Sequence, residues 1–62
     1  MNPFNNTIYI QAQDTSGVWR TYSVTVNDPQ VILMSMQSLK QSLPTFRIRA
    51  VDSVGRLVDI LT

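Results

Sequence analysis

Hydrophobic and polar residues alternate in four short segments of the chain. TIYIQAQ and VWRTYSVTV lie in the first half, and TFRIRAV and RLVDILT lie in the second. Alternation with a period of two is typical of strands that bury one face, and the many β-branched and aromatic residues favour the same assignment. The pattern predicts four strands, at about residues 7–13, 18–26, 45–51 and 56–61.

The segment between the second and third strands changes to helical spacing. Asp28 suits the N-cap, Pro29 suits the first helical position, and Pro44 cannot continue a helix. Apolar residues at intervals of four, three and four then fall on one stripe. These residues are Ile32, Met36, Leu39 and Leu43. The pattern predicts a helix at about residues 29–42.

Two similar segments, IQAQDTSG and IRAVDSVG, each connect a pair of predicted strands. Asp at the first turn position can accept hydrogen bonds from the backbone beyond it, and Gly at the last position tolerates a positive φ. Such a turn places Asp14 opposite Val18 and Asp52 opposite Arg56. We therefore expect two β-hairpins of the same design.

Continued outwards from these turns without interruption, the register collects apolar residues on one face of each hairpin and sets Arg49 opposite Asp59. The first set is Ile8, Ile10, Tyr22 and Val24, and the second is Ile48, Ala50, Val58 and Ile60. The helix stripe can cover this combined inner face. The sequence predicts a single α+β domain over residues 1–62, of order ββαββ, with one helix on one face of a four-stranded sheet and the strand order open.

The two turn segments also resemble the active-site loops of aspartic proteases, in which two loops supply a pair of carboxylates. Such a dyad needs its carboxylates about 3 Å apart. In those loops Gly follows Asp by two residues, whereas Gly17 and Gly55 follow Asp by three. The spacing favours the hairpin turn over the catalytic pair.

The predicted sheet leaves one face without a helix, and we call it the outer face. Aromatic residues and Arg in a patch of low charge are typical of the centres of protein interfaces, and surplus apolar surface marks a contact with a partner. The outer-face residues are Tyr9, Trp19, Arg47, Arg49, Val51, Leu57 and Leu61. A possible second interface is the back of the helix, with Val31, Leu33 and Met34. We expect a non-catalytic interaction or assembly module that contacts another copy, as a homodimer, or another protein.

Single-stranded nucleic acid or RNA is the alternative partner. Arg47 and Arg49 share the outer face with aromatic residues, and sheet faces of this kind can stack bases. Arg20 and Arg56 lie near the hairpin tips, within reach of phosphates. Against this hypothesis, Asp59 faces Arg49 in the predicted register, and a net charge of +1 lacks the usual basic excess.

The composition also argues against several classes of catalytic and metal-binding protein. The chain has 62 residues, no Cys and no His, which removes disulfides, thiolate metal sites and the commonest general base. Two glycines cannot build a phosphate-binding loop, and the four Asp do not have calcium-loop spacing. We expect no enzymatic activity, no cofactor and no metal.

The same sequence gives no membrane signal. No apolar run reaches the roughly 20 residues that a membrane helix needs. The start MNPFNNTIYI lacks the features of a signal peptide. We expect no membrane partner, and cytoplasm is the default expectation for a chain without Cys.

Overall fold

The computed structural model describes residues 6–61, so residues 1–5 and 62 of the predicted domain lie outside the described part. Its elements follow the predicted order, which is two strands, a helix and two further strands. They are β1 (Thr7–Gln13), β2 (Trp19–Val26), α1 (Pro29–Ser42), β3 (Arg47–Asp52) and β4 (Leu57–Leu61). The four strands form one antiparallel sheet in the order β2-β1-β3-β4. The predicted α+β class and ββαββ order are confirmed.

The helix begins where the sequence places its N-cap. The Asp28 carboxylate accepts hydrogen bonds from the Gln30 amide at 2.9 Å and the Val31 amide at 3.2 Å. Pro29 occupies the first helical position. The cap satisfies amides that have no partner within the helix, and Pro29 has no amide hydrogen to satisfy.

The helix ends in a turn that delays the third strand. The Leu43 amide donates to the Leu39 carbonyl at 2.9 Å, and the Phe46 amide donates to the Leu43 carbonyl at 3.1 Å. The Lys40 ammonium then donates to the Phe46 carbonyl at 2.8 Å. Because these contacts hold the chain in a turn, β3 begins at Arg47, two residues later than predicted.

The core lies between α1 and the inner face of the sheet, mainly over the two central strands β1 and β3. Small and β-branched residues dominate it, and the helix contributes two large side chains. The fully buried cluster comprises Ile8, Ile10, Ala12, Ile32, Met36, Ile48 and Ala50. Leu39, Leu43, Phe46 and Leu61 pack around its rim.

The first hairpin follows the predicted register only near its turn. The Asp14 amide donates to the Val18 carbonyl at 3.2 Å, and the next three pairs follow without interruption. A bulge at Tyr22 then leaves that residue outside the pairing, so Ile10 pairs with Ser23 rather than with Tyr22. The predicted register of this hairpin is wrong beyond its third pair.

The second hairpin repeats this behaviour with an earlier bulge. The Asp52 amide donates to the Arg56 carbonyl at 3.0 Å, as the turn predicts. The bulge at Val58 follows after one further pair, so Ala50 pairs with Asp59 rather than with Val58. The predicted register is wrong beyond that point.

Each bulge moves residues to the other face, because one extra residue reverses the alternation that follows it. In β2, Val24 was predicted on the inner face but lies opposite Tyr9 on the outer face. Val26, opposite Thr7, lies on the outer face as well. The first hairpin therefore adds two valines to the uncovered face.

The bulge in β4 changes three further assignments. Ile60, predicted on the inner face, lies opposite Arg49 on the outer face, so the predicted pair of Arg49 with Asp59 is wrong. Leu61, predicted on the outer face, lies opposite Ile48 and packs against the core. Asp59 is therefore on the helix side of the sheet.

Candidate interaction surface

One continuous apolar row crosses all four strands on the outer face. The registers place Val24 beside Tyr9, Tyr9 beside Val51, and Val51 beside Leu57. We call these four residues the apolar row. Side chains that face each other directly across neighbouring strands are about 4.5–5.5 Å apart at their Cβ atoms, so the row forms one connected strip.

The apolar row is open to solvent at its ends and closed at its centre. Val51 is only 6% exposed although α1 lies on the other side of the sheet, and its neighbours in the row are Tyr9 and Leu57. Val24 and Leu57 are 60% and 59% exposed. The row therefore presents two exposed aliphatic ends around a buried centre, which suits contact with another apolar surface.

The next row of the outer face, which we call the polar row, runs through Thr21, Gln11 and Arg49 and ends at the apolar Ile60. Gln11 donates to the Thr21 hydroxyl at 3.1 Å and accepts from the Arg49 guanidinium at 2.9 Å. The guanidinium carbon of Arg49 lies 4.0 Å from the centre of the Trp19 ring. This polar row fixes the side chains of Arg49 and Trp19 before any partner arrives, which lowers the entropy lost on binding.

Most of the predicted outer-face residues do lie on that face. The structure places Tyr9, Trp19, Arg47, Arg49, Val51 and Leu57 there, and it places Leu61 on the other side. Sequence reasoning missed Val24, Val26 and Ile60, which the bulges bring onto the face. The sequence gives no signal for these residues. The alternation of apolar and polar residues in β2 and β4 is equally compatible with a register that has no bulge.

The residues predicted on the back of the helix are exposed but do not form one patch. Val31, Leu33 and Met34 are all exposed, Met34 most of all at 61%. Successive helical residues are about 100° apart, so Leu33 lies on the opposite flank of α1 from Val31. Met34 borders a groove of about 410 Å³ between α1 and β2. Its other lining residues are Tyr22, Ser23, Ser35, Ser38, Leu39 and Ser42.

The two turn aspartates sit at opposite ends of the sheet. Gln13 pairs with Arg47 at one end, next to Asp14, and Ile8 pairs with Asp52 at the other. Because β1 and β3 are antiparallel, their hairpin tips point in opposite directions. These two carboxylates cannot form a catalytic dyad within the chain.

Each turn carboxylate accepts hydrogen bonds from donors within its own hairpin. The Ser16 hydroxyl donates to Asp14, and together with donation from the Val18 amide and the Arg20 guanidinium it lowers the pKa of Asp14 from 3.8 to about 2. The Arg56 amide is the main cause of the lowered pKa of Asp52.

Three of the four arginines proposed for nucleic acid have partners within the chain. Arg20 forms an ion pair with Asp14 at 3.3 Å, and Arg56 forms one with Asp52 at 2.9 Å. Arg49 lies over the ring of Trp19. Base stacking on that side of the ring would have to displace Arg49, so the geometry does not favour a nucleic-acid site here.

Residues 6–61 contain neither a cluster of metal-binding side chains nor a helix suited to span a membrane. No group of three or more acidic residues in that range could hold a metal ion. No helix within it is both long and apolar enough to cross a membrane.

Comparison with known proteins identifies no relative of this chain. No protein-family model, no curated protein and no solved structure matches it. The geometry of the outer face is therefore the basis for any functional assignment.

Proposed function

We propose that this chain is a non-catalytic interaction module that acts by protein–protein contact, through self-association over its outer face. The observation that carries this proposal is the apolar row, which crosses all four strands on a face that no helix covers. Exposed apolar side chains at both ends of such a row, on the sheet face opposite α1, are typical of sites of association.

A second copy is the partner that best fits the face. The apolar row has no charged member, and in a two-fold dimer such a row packs against its own equivalent without leaving a charge unpaired. The polar row beside it contains the Arg49 guanidinium, which donates to Gln11 and lies over the Trp19 ring, so this row suits the solvent-facing rim of such a dimer rather than its buried centre. Two sheets packed in this way would form a sandwich with a helix on each outside surface.

The non-catalytic part of the proposal rests on the carboxylates. All four acidic residues of the chain are Asp. Asp14 and Asp52 hold hairpin turns, Asp28 caps the helix, and Asp59 accepts from the Ile60 amide at 2.8 Å. A general acid or base needs a side chain that faces a cavity and can exchange its proton with a substrate. Asp52 borders a groove of about 180 Å³, but its carboxylate is bonded by the Arg56 amide and guanidinium. The structural roles of all four carboxylates support the non-catalytic assignment.

The test compares two exposed aliphatic residues of the second hairpin. Leu57→Glu places a charge at the end of the apolar row, and Val54→Glu places the same charge at the hairpin tip, where Val54 is 72% exposed. Sedimentation at micromolar concentration should show the wild type as an assembly. Leu57→Glu should weaken the association by about 30-fold or more, since interface hot spots contribute about 2 kcal/mol. Val54→Glu should leave association unchanged.

Two results would overturn the proposal. One is a wild type that sediments as a monomer throughout the micromolar range. The other is an equal effect of the two glutamates, because that would trace any change to charge alone. A shift of the Trp19 fluorescence on addition of an oligonucleotide at low salt, lost at high salt, would instead favour the nucleic-acid alternative.

A further inference from the structure

The two edge strands of the sheet differ in how they are protected against further pairing. β4 has five residues and a bulge, and its Asp59 places a charge on the inner side. Short length, bulges and inward charges are the usual devices that block edge-to-edge association. The Asp59 carboxylate also accepts from the Ile60 amide at 2.8 Å, which occupies a donor of this edge.

The edge of β2 lacks these devices after its bulge. The Asn27 amide points to β1, where it donates to the Asn6 carbonyl at 2.9 Å. Because antiparallel pairing alternates, the amides of Val26 and Val24 point away from β1, to the free edge. No residue between Thr21 and Asn27 carries a charge. The Val26 carbonyl also faces this edge and accepts from the Asp28 amide at 2.9 Å, which leaves it one further lone pair. An uncharged edge whose amides do not bond β1 is a template for another strand.

Apolar side chains flank the β2 edge on both sides of the sheet. On the outer face the flanking residues are Val24 and Val26, and on the helix side they are Tyr22 and Met34. Each of the four is more than two-fifths exposed. On the β4 side Leu57 and Val58 are exposed to a similar degree, but Asp59 follows them directly and places a charge at that edge.

We infer that β2 pairs with β2 of a second copy, antiparallel and centred on Thr25. In this register Val24 lies opposite Val26 of the other copy, and the reverse pair follows by symmetry. The two amides that face the free edge then find carbonyl partners, and four valines meet on the outer face. Tyr22 and its bulge fall outside the paired stretch, so they do not interrupt it.

The size of the outer face gives a second reason for this pairing. Four strands about 4.8 Å apart and about six residues long at 3.3 Å each give a flat area of roughly 380 Å². Side-chain relief increases that area, yet it remains at the small end beside the ~800 Å² that each partner of a standard interface buries. Pairing through β2 joins two outer faces into one eight-stranded face of twice the area. This argument rests on the proposed function, whereas the evidence at the edge itself does not.

The experiment uses the full chain and two substitutions at one edge position. Val26→Pro removes the edge amide, and because that amide does not bond β1 it leaves the internal ladder intact. Val26→Thr keeps the amide and the β-branched shape. We expect a wild-type tetramer, an unchanged Val26→Thr tetramer, and a Val26→Pro dimer held only by the outer faces. Leu57→Glu should also give a dimer, held by the β2 edges.

The outcomes separate the two proposals. If Val26→Pro and the wild type form the same assembly, the edge inference is wrong, whatever Leu57→Glu does. If Val26→Pro turns a wild-type dimer into a monomer while Leu57→Glu leaves it a dimer, the edge inference holds and the outer-face proposal fails. A monomeric wild type overturns both. Should circular dichroism show Val26→Pro unfolded, Thr25→Lys replaces it, since it sets two lysines opposite each other at the centre of the pairing, on the helix side and away from the outer face.

Discussion

The two hairpins of this protein share a turn and differ in the strand that follows it. Gly17 and Gly55 end the turns with φ of +87° and +84°, and an Asp amide closes each turn in the same way. The strands after the turns differ, because β2 has eight residues and no charge beyond Arg20, whereas β4 has five residues and carries Asp59 at its centre. The comparison teaches that turn chemistry fixes where a hairpin forms, while the outer strand determines whether its edge can accept a partner.

The largest expected effect tests whether the two inner strands are equivalent. Ile10 in β1 and Ile48 in β3 are both fully buried in the same core. Ile10→Ala and Ile48→Ala should each lower the free energy of unfolding by about 2–5 kcal/mol, since each leaves a cavity beside the helix. Urea denaturation at a fixed protein concentration measures both. A cost below ~1 kcal/mol for one of them would show that the hairpins do not contribute equally to the core.

The next effect distinguishes the two turns by pH. Asp14 has a pKa of about 2 in the folded chain against an ordinary 3.8, so the folded state binds its proton less readily than the unfolded state. The stability from this carboxylate is therefore complete above about pH 4 and is lost as the pH falls towards 2. Asp52 acts in the same direction, with the Arg56 amide as the main cause of its lowered pKa.

The corresponding variants are Asp14→Asn and Asp52→Asn. Each should reduce the loss of stability between pH 4 and pH 2, and Asp14→Asn should reduce it more. Thermal unfolding followed across this pH range, with the wild type as control, gives the comparison. An unchanged wild-type stability across the range, or a larger effect of Asp52→Asn, would contradict the assigned roles.

The local features of the fold could be predicted from the sequence. The hairpin turns followed from Asp and Gly at fixed positions, and both ends of the helix followed from Asp28, Pro29 and Pro44. These signals act within a few residues, so they do not depend on the rest of the chain. The confirmed ββαββ order follows from them.

The two bulges could not be predicted from the sequence. The outer-face residues that they bring into the candidate site could therefore not be predicted either. A bulge adds one residue where the neighbouring strand adds none, and neither Tyr22 nor Val58 is a residue type that marks one. Val24 and Leu61 were therefore predicted on the wrong faces, because a shift of one residue moves a side chain from one face to the other.

The measurement that tests the account most directly is amide hydrogen exchange of the wild type at two protein concentrations. At the lower concentration the protein is monomeric, and at the higher concentration it is assembled. The account predicts that the amides of Val24 and Val26 gain protection on assembly, because a second β2 accepts their hydrogen bonds. The Ile60 amide, bonded to Asp59, should exchange at the same rate in both samples. Equal exchange of Val24 and Val26 in the dilute and the assembled protein would contradict the account.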